Sequence, residues 1–433
     1  MAISQNFPNT RPSLNLNFAR SKTLDPRITF SRTNPTATYV DDNGLIVAAG
    51  ADEPRFDHDP TTGESLGLLV EEQRVNELEY GETFNTAWSH IGFTSNAVDS
   101  TYINPTGGTG AKKLIEETGN SSGQKVLYRD ITVSSNNAVY THSCFVKPIG
   151  DRNIQLTIHN AGSPASSFSA NFNLAAETAD STGSGGGASL DDYGVIPYPN
   201  GWYRVYVTGN TSSNNSTGTL LRFHIRICND SYTTNYTGDG SSGLYVYGGQ
   251  MELGAFPTSL IKNSTNSDVT RSPDNVSMTG TNFSDWYNTT EGTIFVDCTP
   301  VYSSPTNQYK RLLSIHNNSG SQVDVIQLIQ YEQSNVVQFA VWDGSSPQAL
   351  FSKSSFTSGT RFKVAFAVKE NNINASYDGN IGTDDTTCTL PAMTQMDIGK
   401  YTTGSGTQTT VHINNISYYP TRLSNTVLQT LTK

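Results

Sequence analysis

The chain has 433 residues, with 27 Lys and Arg against 38 Asp and Glu and a formal net charge of −11. Only 15% of the residues are charged, against roughly 25% in an average globular chain, which excludes a charged coiled coil or an acidic disordered tail. The acidic balance without Lys/Arg clusters excludes nucleic-acid binding and docking on anionic membranes, and the 21 Tyr and 18 Phe supply ample apolar surface for cores.

In chain order, the first residues lack the apolar core of a secretory signal, and the longest apolar runs, such as 66–70 and 364–368, are far too short to span a membrane. Residues 1–80 hold short β-prone pieces between turn signals. Asn43-Gly44 separates 38–40 from 45–47 as a hairpin turn does, and a turn at 60–63 separates 54–59 from 65–72. Two small hairpins bury little area alone, so the segment reads as an extended adaptor that docks on a neighbour and is separable from two folded domains behind it.

Residues 81–270 supply strand candidates at 125–132, 138–147, 153–159, 167–174, 201–208, 219–228 and 243–252, separated by Gly-, Ser- and Asn-rich tracts. Alternation is plain in Arg222-Phe223-His224-Ile225-Arg226-Ile227, where one face must be wet. A polar linker at 262–275 leads to residues 271–433, with strand candidates at 292–298, 311–315, 324–331, 335–342, 361–369, 372–377 and 409–419. The end of the chain reads as a short helix, with Ser424 as its N-cap and Leu423 stapled to Leu428. The fold class predicted is all-β: two antiparallel β-sandwich or jelly-roll domains, 81–270 and 271–433, behind a hairpin-rich N-terminal segment. Cys144, Cys228, Cys298 and Cys388 form no CxxC pair and read as buried free thiols.

Three stretches resemble known families. Thr29 to Gly44, with Pro54-Arg55-Phe56-Asp57 and Leu66 to Asn76, resembles the N-terminal module of bacteriophage virion and tail-appendage proteins, although Val75 and Glu77 depart from its usual ending. Gly201-Trp202-Tyr203-Arg204-Val205, with Gly248 to Ile261 and Val269-Thr270-Arg271-Ser272-Pro273-Asp274, is similar to the phage carbohydrate-binding-like jelly roll. Tyr418 to Asn425, with Ala375 to Gly379, resembles concanavalin A-like, laminin-G-type domains of phage structural proteins. These resemblances imply a virion-surface protein of the tail or capsid, with Arg32, Tyr39, Arg55, Phe56 and Arg74 as virion-docking residues. They imply other virion proteins and host surface polysaccharide as partners, and by analogy a homotrimer. Within the jelly roll, Trp202, Tyr203, Gln250 and Glu252 read first as scaffold.

Catalysis finds little support. Gly119-Asn120-Ser121-Ser122-Gly123 matches G-x-S-x-G, but a nucleophile elbow needs an apolar strand before it and a helix after it, and neither is present. Asp57, Asp59, Glu64, Glu71 and Glu72 invite a glycosidase reading but fall in turns and on a hairpin, where solvated acids are ordinary. His58, His90, His142, His159, His224, His316 and His412 form no i, i+4 pair and no HExxH motif. No cofactor is called for; Asp378, Asp384, Asp385 and Asp397 are candidate oxygen donors to Ca²⁺, without EF-hand spacing.

Glycan binding needs an exposed aromatic face plus polar groups for the sugar hydroxyls. Three loops supply both: Tyr198 with Trp202, Tyr232 and Tyr236 with Asp239, and Trp342 with Asp343. The same aromatics read equally well as anchors of their loops. The function expected is a non-enzymatic virion protein that binds host glycans. The alternative is a capsid decoration or tail-assembly protein with protein contacts only, and a depolymerase comes third for want of β-helix repeats.

Overall fold

The computed structural model describes residues 11–95, 98–119, 123–135, 138–160, 166–210, 220–301, 309–319, 323–331, 336–354, 356–401 and 408–433. The fold is all-β as expected. Four large antiparallel sheets form two sandwiches, and the described helices are short.

The first sandwich spans strands Ser89–Ile91 to Gly243–Leu253 and is continuous in sequence. One sheet has Val139–Ile149 between Trp202–Asn210 and Gly243–Leu253. The other runs Thr178–Gly185, Ser166–Asn173, Asn153–Asn160, Leu220–Cys228, Lys125–Thr132 and Ser89–Ile91. Alternation along these strands sends Leu127, Leu156, Phe168, Phe223 and Ile225 inward against Cys144, Val205 and Val246 of the facing sheet.

The second sandwich is discontinuous. Its C-terminal strand Thr410–Tyr419 pairs along one edge with Glu291–Val301. Along its other edge lie two N-terminal strands: Ser65–Val70 opposite Val411 to Ile413, and Leu14–Asn17 opposite Asn415 to Tyr418. Thr29–Ser31 likewise adds to Asn275–Thr279 at the margin of the facing sheet. Leu14, Leu16, Phe18, Leu68 and Val70 are buried in the same core as Val296, Phe339, Phe366 and Ile416. The first sandwich is thus an insertion into the second, entered and left through Arg74–Asn76 and Val269–Arg271, which pair antiparallel.

Both predicted N-terminal hairpins form, Ala37–Val40 with Ile46–Ala49 and Arg55–His58 with Ser65–Val70. What the structure corrects is their setting. They do not stand apart as an extended adaptor: the second completes its edge hydrogen bonds on Thr410–Tyr419, more than 300 residues away, and the first, a two-stranded sheet of its own, buries Ile46 among Phe145, Trp202 and Leu260. Gly67, at φ +86°, shows how close that approach is: a Cβ there would strike the Ile413 carbonyl. The C-terminal helix is Asn425–Thr432. Ser424 holds the N-cap position without a side-chain bond, and Leu423 and Leu428 share one buried cluster. The four cysteines are free and buried.

A buried ionic network sits where the insertion meets its host. Arg55 Nη1 donates to Glu71 Oε2 and Nη2 to Asp274 Oδ2, each at 2.5 Å; Arg32 Nη1 donates to Asp274 Oδ1 at 2.9 Å. Arg271 lies 3.0 Å from Glu71, whose carboxylate also accepts from the Ser259 amide and hydroxyl. Burial would raise the Glu71 carboxyl, but Arg271, Arg55 and Ser259 outweigh it and hold the group well below the usual carboxylate range. Each charge is therefore stabilised by partners rather than by water.

This network corrects the docking assignment. Arg32 and Arg55 are 0% exposed and Arg74 is 7% exposed, stacked on Phe256 and paired with Glu72, so none of them offers a surface to another protein. Phe56 packs against the second core, and Tyr39 is half-buried. The charged residues of the family-like motifs, Arg55 and Glu71 early in the chain and Arg271 and Asp274 late, are the ones that meet here; in this fold those motifs tie the chain together.

Candidate functional site

Of the predicted loop aromatics, Trp202, Tyr198 and Tyr236 pack onto the sandwich core, and Tyr232 and Trp342 stay half-exposed. Trp202 is 1% exposed, donating Nε1–H to the Ile103 carbonyl at 3.0 Å within a cluster that includes Phe145 and Tyr247. Tyr198 sits edge-on to Phe145, and burial pushes its phenol up to about 12. Tyr236 is 8% exposed, with its hydroxyl donating to Glu116 and Lys125 over its ring. Asp239 is exposed but committed: it accepts from the amides of Ser241 and Ser242 and pairs with Arg152 at 2.9 Å. Tyr232 is half-buried at φ +57°. Trp342 and Asp343 are half-buried on the second sandwich, where Asp343 accepts from Thr389. For Trp202, Tyr198 and Tyr236 the loop-anchor reading therefore wins, because the apolar neighbours that these rings cover lie beneath them.

The acids proposed for Ca²⁺ also stay apart. Asp384 accepts from Asn374 and Asn425, Asp378 from the Lys363 amide, Asp385 from Thr387, and Asp397 faces His316 at 3.0 Å. Among the described residues no group of three or more His, Cys, Asp or Glu is placed to hold a metal. Ser121 of the G-x-S-x-G match lies outside the described residues.

A different constellation is assembled on the outward face of the first sandwich's six-stranded sheet. Register aligns three cross-strand rows: Asp130, Arg222, His159 and Ser167; Tyr128, His224, Thr157 and Ser169; and Val126, Arg226, Gln155 and Asn171. Nearly every outward position is polar, because each inward neighbour is core. In the first row Arg222 grips Asp130 through two bonds of 2.5 and 2.7 Å and lies over the Tyr128 ring, 4.7 Å from its centroid. The Tyr128 ring meets His224 edge-on at 5.9 Å, and the rings of His224 and His159 stack at 6.2 Å.

Arg226 stands at the centre. Its Nη1 donates to Gln155 Oε1 at 3.0 Å and Thr157 Oγ1 at 2.7 Å, and its Nη2 to His224 Nδ1 at 2.6 Å. The Gln155 amide passes the chain on to Asn171 Oδ1 at 3.0 Å. Since a guanidinium only donates, His224 Nδ1 is the acceptor and its ring is neutral with hydrogen on Nε2. Burial, then the charges of Arg226, His159 and Arg222, lower the His224 pKa to about 3. Arg226 itself has no carboxylate partner among the described residues, in contrast to Arg222. The face therefore presents one half-buried, unneutralised positive charge amid hydroxyl, amide and imidazole groups. That arrangement suits a hydroxylated ligand carrying an anionic group.

A pH expectation follows for ligands held here. His224 would acquire charge only as pH falls toward about 3, so it contributes no change of charge to the face from pH 8 down to 5, and burial with the charges of Arg222 and Arg226 lowers His159 as well. Binding measured by calorimetry should be flat from pH 8 to 6.5, above the ordinary histidine value that both rings fall below, unless the ligand itself titrates.

Sequence reasoning singled out the alternation of Arg222, His224 and Arg226 as a wet face but passed over it as a site. The signal that would find it is three outward positions carrying two arginines and a histidine; their partners on neighbouring strands depend on register.

No protein-family model and no curated protein matches the sequence. Among solved structures, the chain is similar to the CBM40 of Ruminococcus gnavus IT-sialidase bound to alpha2,3 sialyllactose, at 16% identity and TM-score 0.29 over 34% of this chain and 84% of that one. It is also similar to a K499G mutant of NanB sialidase from Streptococcus pneumoniae, at 14% identity and TM-score 0.30 over 36% of this chain and 26% of that one. A third likeness is to the receptor binding domain of botulinum neurotoxin type G, at 13% identity and TM-score 0.28 over 36% of this chain and 39% of that one. Likenesses at these scores carry no functional argument.

Proposed function

We propose that the protein is a non-enzymatic bacteriophage virion protein, carried on the tail or capsid surface, that binds host surface glycans through the polar outer face of its inserted sandwich. The observation that carries the glycan reading is the Arg226 guanidinium, held at the centre of a sheet-borne cluster of Thr157, Gln155, Asn171 and His224 with neutral partners only. An acidic sugar would place its carboxylate on Arg226 and its hydroxyls on the flanking side chains. The virion assignment rests on the sequence resemblances. Single sites of this kind are weak, and copies on one particle, as in a homotrimer, would gain by effective concentration.

The test is binding of the purified protein to an array of acidic and neutral bacterial polysaccharides. Acidic glycans are expected to bind, and Arg226→Ala to weaken them about tenfold or more, the scale of one lost charge-assisted hydrogen-bonded contact. Equal binding by that variant, or no binding to any host polysaccharide by an oligomeric sample, overturns the reading. In the second case, loss of particle integrity without the protein would establish the decoration role, favoured by the burial of Trp202 and Tyr236.

A further inference from the structure

Between the inserted sandwich and its host lies a cavity of about 200 Å³, apart from the sheet face described above. It is lined by the N-terminal hairpins, by Phe145, Ile196, Tyr198 and Arg204 of the insertion, by Pro257 to Leu260, and by Val301, Thr410 and His412 of the host. It exists only because the two sandwiches meet there.

Three buried polar atoms of its lining residues have no partner among the described residues: His58 Nε2, Thr410 Oγ1 and Arg204 Nε. His58 is 4% exposed; its Nδ1 lies 3.0 Å from the Val40 carbonyl, so in the neutral ring Nδ1 carries the hydrogen and Nε2 offers an unused lone pair. Thr410 is 5% exposed, and its Oγ1 also has no partner. Buried polar groups left unpaired cost stability, so an occupant that satisfies them is favoured. A register shift between Asp57 and His58 lets both side chains reach the backbone of Val40.

The chemistry of the wall selects the occupant. The charged lining groups are already committed: Arg204 donates to the Thr258 carbonyl and the Ser143 hydroxyl, Glu71 is held by Arg55 and Arg271, and Asp57 is paired with His412 at 2.7 Å. An anion would meet two carboxylates there and a cation would meet Arg204, so a neutral molecule fits best. His58 Nε2 needs a donor, whereas Thr410 Oγ1 can give or take, which a set of hydroxyls satisfies. Tyr39, Tyr198 and Phe145 add aromatic surface suited to the C–H face of a ring. The space equals about six or seven waters at roughly 30 Å³ each, enough for one sugar ring.

From this geometry we infer that the cavity between the sandwiches is a binding site for a small neutral polyol, of the size and class of a single monosaccharide, held by His58 and Thr410. The site is independent of the outer sheet face and takes a different ligand.

The test uses the full chain with glucose, galactose, mannose and glycerol as probes, by calorimetry and by crystal soaking. Saturable binding of at least one sugar is expected, with its ring in the cavity and hydroxyls on His58 Nε2 and Thr410 Oγ1. The near-isosteric Thr410→Val should weaken it about tenfold while Thr410→Ser retains it. Arg226→Ala should leave it unchanged, which separates this site from the glycan face. Ordered water alone in the cavity of soaked crystals, no saturable binding by any probe, or equal affinity in Thr410→Val overturns the inference. Should Thr410→Val fail to fold, the soaked wild-type crystals decide.

Discussion

Replacing Asp274 by alanine is expected to destabilise the protein by about 3–5 kcal/mol, the cost of removing one partner from a buried ion pair. Asp274 is 1% exposed and serves Arg32 through one oxygen and Arg55 through the other, the second oxygen also accepting from the Glu71 amide. Its loss leaves two buried guanidiniums short of an acceptor where water does not reach. Asp130→Ala is the internal control. That carboxylate also pairs with an arginine, but both side chains are 36% exposed, and such pairs contribute about 1 kcal/mol or less. Thermal and urea denaturation of the two variants side by side would check this. A midpoint for Asp274→Ala no lower than that of Asp130→Ala would show that the network does not hold the sandwiches together.

The second large effect concerns the N-terminal segment. Deleting residues 1–80 is expected to prevent the second sandwich from folding, while residues 81–260 still form a cooperative unit. Leu14, Leu16, Phe18, Leu68 and Val70 are each at most 2% exposed in the second core, and burying such side chains is worth about 1.5–3 kcal/mol apiece. Their sum approaches the whole stability of a typical domain, about 5–15 kcal/mol. The deletion also strips the partners from one edge of Thr410–Tyr419, leaving an apolar strand open to aggregation. Differential scanning calorimetry would then show one transition instead of two, with aggregated material. Two intact transitions in the truncated chain would restore the segment to the status of a separable adaptor.

A smaller effect arises inside the first sandwich. His142 is fully buried, with Nδ1 at 3.2 Å from the Gln250 carbonyl, and burial lowers its pKa from 6.5 to about 4. The unfolded chain therefore takes up a proton that the folded chain refuses. This contribution to stability is complete above pH 6.5 and declines as pH falls toward 4. Urea midpoints should drop between pH 7 and 5, and drop less in His142→Gln.

What the sequence by itself determined was local. Asn43-Gly44 and the turn at 60–63 announce hairpins, because positive φ and side-chain turn bonds are chosen within a few residues. The alternation in 222–227 announces a strand with one wet face, because side-chain direction has period two. The terminal helix is legible from equally local signals, the Ser424 cap position and the pairing of Leu423 with Leu428. Only the tertiary structure decided that the N-terminal strands complete a sheet formed by the last ones, since strand pairing is a contact between distant residues that leaves no local pattern. It likewise decided that Arg32 and Arg55 are interior and Arg226 outward. A guanidinium reads the same in sequence whether carboxylates from afar enclose it, as Glu71 and Asp274 enclose Arg55, or neutral neighbours on adjacent strands leave its charge open, as at Arg226. Chemistry set by register and by chain segments 200 residues apart appears only once the sheets are assembled.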